Sequence, residues 1–339
     1  MPYSLPYFYR SWCCLVLLCA AQLLGARTTL YFKNTQYQSL DHTAARLGMQ
    51  YAWSTPEKRI LLTSQWTRLE FERHKRYFRL DGIKVHLGHA IILQRRDLYL
   101  SQGDYKHALA PILTPQVFQQ VPKLYHIVLD PGHGGRDPGC VVRNTYEKAL
   151  TLDLARRLQA VLRERGYRVS LTRDKDTRVS LTGRSALANR LGADLFISLH
   201  FNASRNTTAR GIETYAYTPR YQPSSGRSKQ VPADRLYRPG NQHDPWNALL
   251  SFYLQRELLR YTGAPDRGSK RARFAVLQAL KCPGVLVEGG FLSHPKEGAA
   301  LRTAAYRKTL ARAIAQGISR YQKTLNRLHK DERVLTVQK

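Results

Sequence analysis

Acidic residues are scarce in this chain. It carries 24 Asp and Glu against 54 Lys and Arg in 339 residues, a formal net charge of +30. The basic residues are spread over both halves, so no single tail accounts for the excess. Charge of this size and sign implies an anionic partner: nucleic acid, an anionic membrane surface or an anionic cell wall. No helix-turn-helix, zinc-finger or RNA-binding signature accompanies it, so nucleic acid is not the expected partner. Long apolar runs are missing too. The segment from Trp12 to Leu24 is apolar apart from Gln22, short of the roughly 20 residues of a membrane span. With Arg10 before it and Gly25-Ala26 after it, the segment 1–26 reads as an export signal,. An uncleaved anchor is the alternative, because Leu24 fits poorly three residues before the cut. Lipidation at Cys19 is rejected because Leu18 is bulky. A periplasmic or secreted location follows, which also argues against nucleic acid.

Cysteine is sparse as well. Of the five, Cys13, Cys14 and Cys19 fall within the export segment, leaving Cys140 and Cys282. An exported setting permits a disulfide. Cys282, however, precedes Glu288 by a stretch of strand up to about 20 Å long, which puts it at the far end of a sheet from Cys140. Bridging needs Cα atoms within about 7 Å, so two unpaired thiols are expected. There is no internal repeat.

What is present is a chain long enough for two modest domains, with 43% hydrophobic residues to fill their cores,. The most informative stretch is Ile127-Val-Leu-Asp-Pro-Gly-His-Gly-Gly-Arg-Asp-Pro-Gly139. A short apolar run from Tyr125 to Leu129 predicts a buried strand. It breaks into a glycine-rich loop that lets backbone approach an ion or ligand. The loop carries His133 and the carboxylates Asp130 and Asp137. A second apolar run ends in His200, and a third, Gly284-Val-Leu-Val-Glu288, ends in a carboxylate. Strands that release such groups at their carboxyl ends can present them at one rim of a parallel sheet, where open α/β folds place their sites. Two imidazoles and a carboxylate form a zinc set with one position open to water. Glu147, at the start of the helix after the His133 loop, supplies a carboxylate; an acid in a first turn also simply complements the helix dipole.

These residues resemble a known family. Asp130-Pro-Gly-His133, Glu147-Lys148, Ser198-Leu-His200-Phe-Asn-Ala203 and Val285-Leu-Val-Glu288-Gly-Gly-Phe-Leu-Ser293 occur in that order. Together they are similar to the zinc-dependent N-acetylmuramoyl-L-alanine amidases that trim bacterial peptidoglycan, over about Tyr125 to Tyr321. The resemblance implies one zinc per chain held by His133, Glu147 and His200, with Glu288 as catalytic general base and acid. It implies cleavage of the amide between N-acetylmuramic acid and L-alanine of the stem peptide. Cys140 stands where such proteins often have alanine, and His294 where they often have asparagine. Arg136, Arg173, Arg184, Arg190 and Arg205 lie in or beside the motifs and could grip substrate carboxylates; for Arg184 and Arg190 a solvated helix face is the rival reading. Asn202 either orients His200, binds substrate or serves a backbone turn. The same residues also fit a non-catalytic wall-binding protein, or a zinc peptidase acting within the stem peptides. Neither an activator protein nor an oligomeric interface is visible, and a monomer is expected.

The expected architecture is an α/β catalytic domain over 124–325, a mainly parallel twisted sheet with helices on both faces. Its predicted helices include Glu147 to Arg165, Ser180 to Leu191 and Trp246 to Tyr261. It carries a basic, proline-rich insertion at 218–246 and is followed by a mobile basic tail at 326–339. Before it come a linker at 116–123 and a small α+β unit at 27–115, a spacer or wall-binding module. In that unit Asp41 is expected to cap a helix that Gly48 ends. Strands are predicted at 49–54, 59–63, 77–80, 83–85 and 90–94. Leu40, Leu47-Gly48, Tyr51-Trp53 and Asp81-Gly82 faintly resemble the small domain at the amino end of copper amine oxidases, without copper chemistry. His86 and His89 are expected to be a solvated pair.

Overall fold

The computed structural model describes residues 28–337; the expected export segment at 1–26 lies outside them. None of the described helices is long and apolar enough to cross a membrane.

The amino-terminal unit is built from short strands. β1 (Thr29–Phe32) and β2 (Thr35–Ser39) pair with β9 (Asp97–Ser101) and β8 (Ile92–Gln94) in a small antiparallel sheet. Helix α1 (Leu40–Leu47) follows β2. Its cap is Ser39, whose Oγ accepts the His42 amide at 3.0 Å, rather than the expected Asp41. Ser39 has the extended backbone a cap requires, whereas Asp41 is already inside the first turn,. Gly48 ends the helix in the left-handed conformation, as predicted,. β3 (Gln50–Thr55), β4 (Arg59–Thr63), β5 (Arg68–Glu72), β6 (Tyr77–Leu80) and β7 (Ile83–His86) then form a meander. β1, β2, β5 and β9 were not expected, although Arg68-Leu-Glu-Phe-Glu72 does alternate: Leu69 and Phe71 are buried between charged neighbours.

The second half alternates strands and helices: β10 (His126–Pro131), the short hairpin β11 (Val141–Val142) and β12 (Thr145–Tyr146), α2 (Glu147–Glu164), β13 (Arg168–Leu171), α3 (Leu181–Arg190) and β14 (Leu195–Asn202). There follow β15 (Ile212–Tyr217), α4 (Asp244–Thr262), β16 (Asp266–Ala272), α5 (Ala275–Gln278), β17 (Gly284–Phe291), α6 (Pro295–Arg302) and α7 (Ala304–Val337). Strand periodicity sorts the core into two layers. Ile127 and Leu129 of β10 face α2, α4 and α7, while Val128 faces α3 and α5. Helices therefore cover both faces. The sheet is mixed: β13, β10, β14 and β17 run parallel, and β15 is antiparallel to β17.

Among the described residues eleven strands form one sheet, in the order β13-β10-β14-β17-β15-β16-β7-β6-β5-β4-β3. The amino-terminal meander thus extends the sheet of the second half through a single bridge, Ser269 to Val85. Side chains reinforce that joint. Asp266 Oδ2 accepts the Lys84 amide at 2.7 Å, and His86 Nε2 donates to the Arg267 carbonyl at 3.1 Å. Phe252 of α4 packs into the amino-terminal core. The insertion lies across the same joint: Ser225 bonds the backbone of Arg271, and Arg76 reaches the Ser224 carbonyl. His86 and His89 are not a solvated pair. His86 is enclosed at the joint, and the amide of His89 donates to buried Asp104. The described part of the expected tail, residues 326–337, is helical. It continues α7, with Leu328 buried and His329 hydrogen-bonded to the Pro122 carbonyl. Phe118 and Val121 of the linker pack on the same core. Cys140 and Cys282 are unpaired, as expected.

Burial, aided by nearby Lys270, pushes the His86 imidazole from 6.5 down to about 4. Burial and Arg271 push His107 down to about 3. Between the folded and unfolded values the unfolded chain binds more protons, so stability falls as pH falls through that window. For His86 the loss between pH 6.5 and 4 is on the order of 2–3 kcal/mol. Urea unfolding at pH 7.5 and 4.5 checks this. His86→Gln is expected to flatten part of the slope, with His107 carrying the rest; an unchanged slope would refute the assignment to His86.

Candidate metal centre

The site forms at the carboxyl ends of β10, β14 and β17. Asp130 closes β10 and is fully buried. It accepts Thr172 Oγ1 at 2.6 Å, Ser198 Oγ at 2.8 Å and Arg184 Nη1 at 2.7 Å. It therefore binds strand ends and α3 together and faces no ligand. Arg184 also donates to the carbonyls of Pro131 and His133, each at 2.8 Å. Arg173 bonds those of Pro131, Gly132 and Lys148. Both arginines are buried, so neither is the substrate grip or solvated face that the sequence suggested: they clamp the glycine-rich loop. Lys148 adds a bond to the Gly135 carbonyl and an ion pair to Asp176.

That loop delivers His133 at a positive φ of 61°. Its Nδ1 meets Asp137 Oδ2 at 2.9 Å, which fixes the ring and points Nε2 at Glu147 Oε1, 3.1 Å away. Glu147 opens α2 and is buried. Its oxygens accept the amides of Cys140 (2.9 Å) and Phe201 (3.1 Å), and Oε1 lies 3.1 Å from His200 Nδ1. One ligand-type atom from each of His133, Glu147 and His200 lies within 4.8 Å of the others. The imidazoles stand edge to face, 4.9 Å between centroids. Two glycines are required by this crowding. A Cβ on Gly132 would come within 2.2 Å of the His200 ring, and one on Gly139 within 2.7 Å of Glu147 Oε2. Two imidazoles and a carboxylate are a donor set that zinc sites with an open position use, and the three ligand atoms lie close enough together to hold one ion,.

Glu288 stands beside His200 in the β14–β17 register and beside Glu213 in the β15–β17 register. Its Oε2 is buried with no hydrogen-bond partner. Burial first, then the carboxylates of Glu147 and Glu213, push its pKa well above the usual carboxylate range, with Lys270 opposing. A carboxyl so placed holds its proton more readily than an exposed one and can take part in proton transfer,.

These groups line a cleft of about 360 Å³ with Asn202, Leu181 and the wall Phe274-Ala275-Val276. The wall follows β16 and is held by the insertion. Arg273 donates to the carbonyls of Thr218, Pro219 and Gln222 and to buried Asp234. Asn202 Nδ2 donates to Glu213 Oε1 at 2.6 Å, while Arg136 and Arg205 are exposed and do not line the cleft. The exposed Arg190 likewise stays outside it. Sequence reading missed Glu213, which also binds Arg267, Lys270 and the Tyr215 hydroxyl. A lone acid in the apolar run Gly211-Ile-Glu-Thr-Tyr-Ala-Tyr217 was the available signal. His294 caps α6, its Nδ1 accepting the Glu297 amide,.

Residues 127–320 match the family described as N-acetylmuramoyl-L-alanine amidase (Amidase_3). The N-acetylmuramoyl-L-alanine amidase AmiA of Escherichia coli is 32% identical over 217 residues, covering 58% of this chain and 75% of that protein. LytC of Bacillus subtilis, of the same name, is 33% identical over 195 residues, covering 58% of this chain and 35% of its own. The catalytic domain of CwlV from Bacillus (Paenibacillus) polymyxa superposes with a TM-score of 0.49 at 30% identity, covering 59% of this chain and 99% of that domain.

Removing Arg184 would strand Asp130 as a buried, unpaired charge. Arg184→Ala is expected to lower unfolding free energy by about 3–5 kcal/mol. A urea midpoint close to that of the parent protein would show that Thr172 and Ser198 suffice.

Proposed function

The chain belongs to the N-acetylmuramoyl-L-alanine amidase family, a family of cell-wall hydrolases, and from that premise we propose that it is an exported zinc enzyme cutting the bond between N-acetylmuramic acid and L-alanine. The observation that carries the reading is the convergence of His133, Glu147 and His200, with the unpartnered Glu288 beside them.

His133, Glu147 and His200 would hold the ion. Zinc in such a site acidifies water towards pH 7 and polarises a carbonyl. The protein's own groups do the rest. Asp137 fixes the tautomer and orientation of His133, and the amides of Cys140 and Phe201 orient Glu147,. Glu288 takes the proton of the attacking water as general base and returns it to the departing nitrogen of L-alanine. Its enclosed position keeps bulk water from competing for that proton. Phe274, Val276 and Leu181, which line the cleft, would give the lactyl and alanyl methyl groups an apolar surface. Residues 1–26 would direct export, and the amino-terminal unit would hold the enzyme to its polymeric substrate.

Incubating the purified protein with intact sacculi, and identifying the soluble fragments by mass spectrometry, tests the reaction. Free stem peptides beginning with L-alanine are expected. Shortened stems or split cross-links would replace the amidase with a peptidase, and unchanged sacculi with metal bound would leave a wall-binding protein. Glu288→Gln should retain zinc and lose cleavage by at least about 10²-fold. Loss of metal in that variant would make Glu288 a ligand instead. His200→Ala should lose most bound zinc by elemental analysis. Asp137→Ala should weaken zinc binding by roughly 10–100-fold, read in a competition titration with a chelator; unaltered affinity would remove Asp137 from the site's support.

A further inference from the structure

One wall of the metal-centre cleft has little to hold it in place by itself. Phe274, Ala275 and Val276 line the cleft from the segment between β16 and β17. α5, which starts at Ala275, is a single turn, and a turn so short is not stable alone. Its place is therefore set by what surrounds it. Phe274 meets the Tyr215 ring edge to face, 5.0 Å between centroids. The Tyr215 hydroxyl donates to Glu213 Oε1 at 3.0 Å, the same oxygen that holds Asn202. The remaining supports come mostly from the insertion at 218–246.

Arg273, the residue before Phe274, is largely buried. Its Nε donates to Asp234 Oδ1 at 2.7 Å and its Nη1 to the Thr218 carbonyl at 2.9 Å. Its Nη2 donates to the carbonyls of Pro219 at 3.1 Å and Gln222 at 3.2 Å. Asp234 is fully buried, accepts the Val231 amide at 2.9 Å and pairs with Arg227 at 3.1 Å. It is thus fixed by the insertion's own fold and does not follow the wall. Two residues before Arg273, the Arg271 amide donates to Ser225 Oγ and the Ser225 amide to the Arg271 carbonyl, each at 2.9 Å. Behind α5 the backbone itself closes in: a Cβ on Gly240 would lie 2.3 Å from the Leu277 carbonyl oxygen. His243 Nε2 donates to the Lys281 carbonyl at 3.0 Å. Arg273, Asp234 and Gly240 do not themselves line the cleft. A planar guanidinium whose acceptors lie in fixed directions leaves the wall little freedom.

We propose that Arg273, with Asp234, is a positioning residue for the amidase reaction: through Phe274 it holds the wall against the methyl group of the stem peptide's first residue, so the insertion sets selectivity for L-alanine without touching substrate. This rests on the amidase reading above. The lever is small but sufficient. One methyl group in an apolar pocket is worth about 10–200-fold in discrimination. A gap of about 0.5–1 Å forfeits a quarter to a half of each contact's dispersion energy. A wall loosened by that much leaves His133, Glu147, His200 and Glu288 where they are, because they are held by β10, β14, β17 and α2. The loss therefore falls on the choice among substrates more than on the chemical step.

Cleavage of two soluble muramyl peptides by the full-length protein, one beginning with L-alanine and one with glycine, tests this. The parent is expected to favour the first by at least about tenfold in kcat/KM. Arg273→Met fills similar space without the donors. It should cut that preference to about threefold or less and raise KM for the L-alanyl peptide. A smaller folded fraction alone would lower kcat and leave KM and the preference where they were. Arg273→Lys, still able to pair with Asp234, should recover part of the preference. Gly240→Ala presses on the wall from behind with the Arg273–Asp234 pair intact, and should shift the preference even if Arg273→Met does not fold. In a Phe274→Ala protein the preference should already be low, and adding Arg273→Met should lower it no further. An unchanged preference in Gly240→Ala, or in folded Arg273→Met, would overturn the proposal. So would an equal effect of Arg273→Met with and without Phe274. Cleavage of both peptides by the parent without preference removes this proposal alone, whereas cleavage of neither removes the amidase reading and this proposal with it.

Discussion

Asp130 is the carboxylate on which the site's geometry depends. It gathers Thr172 beside β13, Ser198 of β14 and Arg184 of α3 at the end of β10. Parallel strands end in loops whose backbone polar groups have no ladder partners. Here Arg184 and Arg173 satisfy the carbonyls from Pro131 to His133. With those carbonyls fixed, His133 emerges at one angle, and the left-handed backbone at that residue becomes tenable. The buried ion pair is therefore less a source of net stability than a device for register.

The same logic runs through the second layer. Glu147 receives two backbone amides before it meets any imidazole, so its carboxylate plane is set by main chain. Asp137 sets His133, and Glu213 sets Asn202. Glu288 is the exception: it lines the cleft, and its buried Oε2 has nothing to satisfy it. An unpaired buried carboxyl is unfavourable for folding. It persists beside His133, Glu147 and His200, where the proposed reaction calls for a proton carrier.

Much of this was legible in the sequence, for identifiable reasons. Apolar runs ending in His133, His200 and Glu288 mark strands of a parallel sheet, and parallel strands bring their carboxyl ends to one rim. Glycine on both sides of His133 signals close approach, which Gly132 and Gly139 bear out. The arginines were less legible. Arg173 and Arg184 look like surface charge in one dimension, because their partners are backbone carbonyls and a carboxylate more than 40 residues away. Glu213 was missed for the same reason: its meaning lies in the neighbours that β15 acquires by running antiparallel to β17 and parallel to β16. The start of the tail continues the last helix because its polarity is one-sided; Leu325 and Leu328 keep that helix on the core. Nor does composition hint that the amino-terminal strands would join the catalytic sheet, since the joint is one bridge plus the side chains of His86 and Asp266.

The scarcity of acids takes on a different meaning once the interior is known. Asp104, Asp130, Glu147, Glu213, Asp234, Asp244 and Glu257 are all buried. Most of them face arginine or lysine: Arg271 at Asp104, Arg184 at Asp130, Arg267 and Lys270 at Glu213, Arg273 at Asp234, Arg320 at Glu257. A large part of a small stock of carboxylates is thus withdrawn from the surface, while most lysines and arginines stay on it. The solvent-facing charge is for that reason more one-sided than the net +30 divided over the whole chain suggests. Such a surface is drawn to any polyanion at a range set by the Debye length, about 8 Å at physiological salt. Long-range attraction of that kind does not discriminate, so specificity has to come from places where charge is arranged rather than merely abundant. The metal-centre cleft is such a place: a carboxyl oxygen is held without a partner beside two imidazoles.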